Sequence, residues 1–184
     1  MRRVVVYGNS GAGKSTLGRA LAGRLGLPYI ELDAIYHSRP NWDDLSPDEL
    51  RVRVREVLAE NPDGWVIDGN YSAARDIILP LADTAIWLKL PFRIVYVRLW
   101  KRTLGRRRRH ELLWGTNRES MRDLFFSRES ILLWGVTHWR TSQHATTRDL
   151  ATIPHTAKVI TLRSPRQVDA LLSRVMATDT GPTD

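Results

Sequence analysis

The chain has 184 residues, 42% of them hydrophobic and 26% charged, which suits one ordinary soluble domain with a real core and falls short of two. No apolar run reaches the length needed to span a bilayer, and with no cysteine there can be neither disulfides nor thiolate metal sites. The formal charge of +8 is uneven: ten Arg or Lys face three acids between Arg98 and Arg128, so that segment calls for an anionic partner.

In chain order, Met1 to Tyr7 is β-branched and continuous, the pattern of a buried parallel strand. Lys14 to Gly26 carries Leu17, Ala20, Leu21 and Leu25 at helical spacing and ends on glycine. Pro28 to Leu32 predicts a second strand. Ser46-Pro47-Asp48-Glu49 starts a helix that is expected to run to about Glu60, and Asn61 to Gly64 is a turn. Trp65 to Asp68 and Ala85 to Leu90 predict the third and fourth strands. Pro91 opens a helix to about Leu104, with further helical patterns at Arg118 to Phe126 and Glu129 to Arg140. Lys158 to Leu162 is the fifth strand, and Ser164-Pro165 opens a last helix to about Met176. The tail 177–184 is polar and expected to be flexible. Strands alternating with helices predict an α/β fold with a parallel sheet covered on both faces. The start Met-Arg-Arg leads into a strand and not an apolar leader, so the expected compartment is the cytoplasm.

Between the first strand and the first helix lies Gly8-Asn9-Ser10-Gly11-Ala12-Gly13-Lys14-Ser15, which fits G-x-x-x-x-G-K-[ST]. The glycines let successive N–H groups wrap an anion, and the helix dipole adds positive potential. Lys14 would reach the β- and γ-phosphates of a nucleotide, Ser15 would hold Mg²⁺ and Thr16 the α-phosphate. Asp68, at the carboxyl end of an apolar strand, is placed to complete the metal site through water, though a turn residue would look the same. Asp33 reads as ending the second strand in the same way, where it would orient an acceptor hydroxyl; a helix cap is the plainer alternative. Glu31 alternates away from it and reads as structural. Arg98 and Arg102, four residues apart on one helix face, suit phosphate oxygens, with Arg118 or Arg122 joining them from the Arg-rich segment. Tyr36, His37 and Trp42 make a polar aromatic stretch beside Asp33, a candidate wall for an acceptor pocket together with Asn70, Tyr71 and Arg75.

The loop, the two acids and the arginine pair together resemble the adenylate kinase-like P-loop kinases. "VIDGNYS" and "RLWKR" look like that superfamily's acceptor strand and the start of its lid. The order "ELDAIYH", "WVIDGNYS", "LADTAIWLKLP" and "KVITLRSPRQV" is similar to bacterial topology modulation (FlaR-like) proteins. The resemblance implies one P-loop kinase domain over residues 1–176, a sheet order of 2-3-1-4-5, a helical lid at about 103–145 and an adenine near Arg163 and Pro165. It implies an ATP- and Mg²⁺-dependent kinase of a nucleoside, nucleotide or other small acceptor. A phosphorylated acceptor would recruit arginines near Arg75, and a neutral alcohol would not. The rival reading is a nucleic-acid-binding regulatory ATPase that sets Arg106 to Arg109 against phosphates. Oligomeric state is not legible.

Overall fold

The computed structural model describes residues 1–39, 43–109 and 139–177. Five parallel strands form one sheet: β1 (Arg3–Gly8), β2 (Tyr29–Glu31), β3 (Trp65–Asp68), β4 (Thr84–Leu88) and β5 (Lys158–Leu162), in the order β2-β3-β1-β4-β5. That is the order expected from the resemblance.

Strand alternation divides the core into two layers. Val4 and Val6 of β1, Val66 of β3 and Ile86 and Leu88 of β4 face one side. There they bury Leu17 and Leu21 of α1 (Lys14–Leu25) and Leu171 and Val175 of the last helix, Pro165–Ala177. Val5, Tyr7, Ile67 and Trp87 face the other side, with Leu50 and Val54 of α3 (Pro47–Glu60). α3 begins with a capping box: Ser46 accepts from the Glu49 N–H, and Glu49 accepts from the Ser46 N–H at 2.9 Å.

Four boundaries depart from the sequence reading. β2 stops at Glu31, so Asp33 does not end a strand; it lies in the first turn of α2 (Leu32–Tyr36). Leu32 is buried beside Gly69, and that contact draws the chain off the sheet edge. β4 stops at Leu88 because the Lys89 N–H bonds both the Trp87 and the Leu162 carbonyls. A run of strong helix formers carries the next helix past Leu104: α5 is Phe92–Arg109. A helix not read from the sequence, α6 (Trp139–Leu150), precedes β5, and Pro165–Ala177 is then α7. Short turns of helix, α4 (Arg75–Ile78) among them, link β3 to β4. The expected helix at 118–126, all but the last two residues of the one expected at 129–140, most of the expected lid and all but the first residue of the tail 177–184 lie outside the described residues. No helix among the described residues is long and apolar enough to cross a membrane.

β1 sits between β3 and β4: the chain first runs from it outward to β2 and β3 on one side and then crosses to β4 and β5 on the other, which opens a crevice beyond its carboxyl end. At the opposite edge Asp83 ties the strands together. Its carboxylate accepts the N–H groups of Arg2 (2.6 Å) and Arg3 (3.0 Å) and the Thr84 hydroxyl (2.7 Å). Partial burial pushes its pKa up, but the Thr84 hydroxyl and the two N–H groups outweigh this and hold it below the usual carboxylate value. A lowered folded-state pKa adds stability that is present above the ordinary carboxylate pKa and lost as pH falls through the folded value. Asp83→Asn should therefore cost about 1–2 kcal/mol at pH 6, and the difference from wild type should shrink towards pH 3. Urea unfolding at the two pH values measures it.

Candidate functional site

The loop between β1 and α1 is built around an unmet anion. α1 has no side-chain cap, so the first-turn N–H groups of a twelve-residue helix face the crevice. Gly11 and Gly13 hold φ of 81° and 96°, a region side chains rarely enter. At Gly11 a Cβ would also lie 2.8 Å from the Val95 carbonyl of α5. The loop is braced from three directions. Ala12 N–H donates to the Asn9 carbonyl at 3.0 Å, Asn70 Nδ2 donates to the Gly8 carbonyl at 3.0 Å, and Arg98 Nη1 donates to the Ala12 carbonyl at 3.3 Å. Asn9 is itself buried, and its Oδ1 accepts from Ser142 of α6 at 3.4 Å.

Asp68 ends β3 at 3% exposure, and its Oδ2 has no hydrogen-bond partner among the described residues. Burial raises its pKa; Lys14, then the Ser15 and Tyr29 hydroxyls, pull it down, and Asp33 pushes it up again. Those influences put the side chains of Lys14, Ser15, Tyr29 and Asp33 within electrostatic reach of Asp68. Ser15 and Asp68 offer hard oxygens beside a phosphate cradle, and Asp68 has a buried oxygen to spare, a donor set that fits Mg²⁺ completed by phosphate and water.

The acceptor side is aromatic and acidic. The Tyr71 hydroxyl lies close to Asp33, and burial and then that carboxylate raise the phenol's pKa, so it stays protonated at neutral pH. The Tyr36 ring lies 4.9 Å from both Tyr71 and His37, and His37 Nδ1 contacts Asp44. Sequence reasoning missed Asp44, whose role depends on the fold of residues distant from the motif. Arg75 stands apart from this cluster: its Nη1 pairs with Asp149 of α6 at 2.8 Å. Asp149 is 4% exposed; burial raises its pKa, against the pull of Arg75 and Arg148. Glu31 accepts from Arg19 at 2.6 Å.

An open pocket of about 620 Å³ is lined by Lys89, Phe92, Trp139, His144 and Arg163. Pro165 opens α7 two residues on. A larger groove of about 740 Å³ runs between β2, α2 and α3, with Val52 and Leu45 on its walls. Arg102 lies one turn beyond Arg98 on α5, and Trp42, Arg118 and Arg122 lie outside the described residues.

A family model described as shikimate kinase matches residues 10–43, from the glycine loop through Asp33 and the first aromatic residues. A shikimate kinase from Nitratidesulfovibrio vulgaris is 34% identical over 114 residues, 53% of this chain and 62% of that protein. A shikimate kinase from Paramagnetospirillum magneticum is 31% identical over 142 residues, 71% of each. The chain belongs to the shikimate kinase family. Among solved structures, shikimate kinase from Bacteroides thetaiotaomicron superposes with a TM-score of 0.57 at 17% identity, over 96% of this chain and 97% of that one, which shows a shared fold. Members of the shikimate kinase family are P-loop phosphotransferases that use ATP and Mg²⁺. The adenylate kinase-like part of the sequence resemblance thus stands. The matches give no support to topology modulation proteins as the nearest kin, nor to a nucleic-acid regulator.

Removing Arg75 should leave the buried Asp149 charge unpaired. Arg75→Ala should lower Tm by about 5 °C, given the partial exposure of the pair, and Arg75→Ala/Asp149→Ala should recover part of that loss. Thermal denaturation of the three proteins measures it. A fall in acceptor affinity with no fall in Tm would instead assign Arg75 to substrate.

Proposed function

We propose that this chain is an ATP- and Mg²⁺-dependent kinase that phosphorylates a hydroxyl group of a small acceptor, with shikimate the first candidate. One observation carries it: Lys14, Ser15, Asp68 and Asp33 converge where the uncapped helix meets the ends of β1 and β3. Family membership supports the acceptor, since the relatives matched over most of this chain are named shikimate kinases.

In this reading the loop from Gly8 to Gly13 and the amides of Ser15 and Thr16 hold the phosphates, and Lys14 offsets charge on the β- and γ-groups. Ser15 and Asp68 would hold Mg²⁺, which when bound would draw charge from the phosphate oxygens. The base would occupy the cavity beside Arg163 and Pro165. Asp33 lies across the crevice and accepts the proton of the acceptor hydroxyl as its oxygen bonds to the γ-phosphorus and the bond to the β-phosphate oxygen breaks. Tyr71, held protonated, fixes the orientation of that carboxylate. Tyr36 and His37 line the acceptor's berth. Arg98 braces the loop from α5, and Arg102, Arg118 and Arg122 are the candidates to close on the transferring group.

The test is ADP release from Mg-ATP with shikimate, nucleosides, nucleoside monophosphates and simple alcohols in turn. Shikimate should stimulate release and Lys14→Ala should abolish it. Asp33→Asn should lower kcat about 10²- to 10⁴-fold with ATP affinity retained. Stimulation by a nucleotide alone would replace shikimate as the acceptor, and full activity of Asp33→Asn would remove that residue from the chemistry.

A further inference from the structure

Tyr29 is absent from any motif in the sequence, yet it occupies the wall of the proposed metal site. It sits on β2 across from Val66, two residues before Asp68 on the neighbouring strand, so strand alternation turns Tyr29 and Asp68 to the same face of the sheet. The Cδ2–Cε2 edge of the ring packs on α1 at Gly18, where a Cβ would come within 2.7 Å of the ring Cε2. The Arg19 guanidinium covers the ring's other approach, 5.0 Å from its centroid, and is held there by Glu31 at 2.6 Å. Helix, cation and carboxylate thus fix the ring in one position, and its hydroxyl faces Ser15 and Asp68.

That hydroxyl and Asp68 Oδ2 are buried, and neither reaches a partner in good hydrogen-bond geometry among the described residues, although the hydroxyl stands close enough to Ser15 and Asp68 to couple with them electrostatically. Two buried polar atoms without partners beside one another are uncommon, because each such group costs free energy on the order of 1–3 kcal/mol. Both are met at once if a water molecule held by a cation stands between them. We infer that Tyr29 is a positioning residue of the metal site, its hydroxyl holding a water of the Mg²⁺ shell opposite Asp68. Magnesium keeps several of its waters, so an outer hydrogen bond of this kind acts on the ion without direct ligation. The phenol has a further consequence for selectivity: it accepts and donates, and so orients water where a second carboxylate would add charge. The inference rests on the kinase reading above, through the assignment of Ser15 and Asp68 to the metal.

Tyr29→Phe removes the hydroxyl and keeps the ring on Gly18. The measurement is calorimetric titration of ADP into wild type and variant, with excess EDTA and with Mg²⁺, alongside thermal melts of both proteins without nucleotide. In EDTA the two should bind ADP alike. The gain in ADP affinity that Mg²⁺ brings should be about tenfold smaller in the variant. An unchanged gain, with or without a lower Tm, would make the hydroxyl a structural group and overturn the inference. Equal losses with and without metal would place it against the nucleotide and overturn it too. If wild type itself gained nothing from Mg²⁺, the metal assignment of Ser15 and Asp68 would fall and Tyr29's role with it.

Discussion

The N-terminus of α1 stays open, and the surrounding architecture is arranged so that it can. Helices commonly satisfy their first N–H groups with a serine, threonine, aspartate or asparagine. Here a glycine in a left-handed conformation takes that place and offers no acceptor. In the proposed kinase reading the phosphate chain of a nucleotide supplies acceptor oxygens and charge at this end of the helix. The bracing by Asn70, Arg98 and Ser142 then makes sense: a loop with three glycines would otherwise wander, and the braces come from beyond β3, from α5 and from α6.

The parts of the fold that were legible in the sequence are those where local chemistry and tertiary role agree. Trp65–Asp68 and Lys158–Leu162 are continuous β-forming runs with clear boundaries, and both strands fall where the sequence placed them. The glycine loop is legible because its function demands residue types that serve nothing else. α2 was hidden because Ile30 and Leu32 continue a strand pattern, and only the packing of Leu32 beside Gly69 turns the chain. α6 was hidden for the opposite reason. Its buried positions include Thr146 and Asp149, polar residues that mimic a solvated face.

The site follows the same division. Lys14, Ser15, Asp68 and Asp33 were found from strand ends and the loop motif, and the structure brings them together. Asp149 and Tyr29 gain meaning only from partners in other elements, and Asp44 only once the loop after α2 brings it back to His37. Asp149 is the clearest case: a buried acid on the helix that returns from the Arg-rich segment, reaching Arg75 just beyond the acceptor strand and sensed by Tyr7 just before the glycine loop. Through that one carboxylate, three segments separated by most of the sequence share an electrostatic environment.

β2 has only three residues and pairs on one side alone, against β3. It nonetheless carries Tyr29 and leads directly into Asp33. In the proposed reading the metal wall and the proton acceptor therefore hang on the shortest ladder in the sheet, at its edge. Local opening of such a ladder requires far less free energy than unfolding the sheet's centre, so its amides exchange with solvent from a sub-global opening. The tightness of the site is then governed by how firmly β2 is zipped to β3, and a bound nucleotide and metal would register as slowed exchange at residues 29–33 long before any change in global stability.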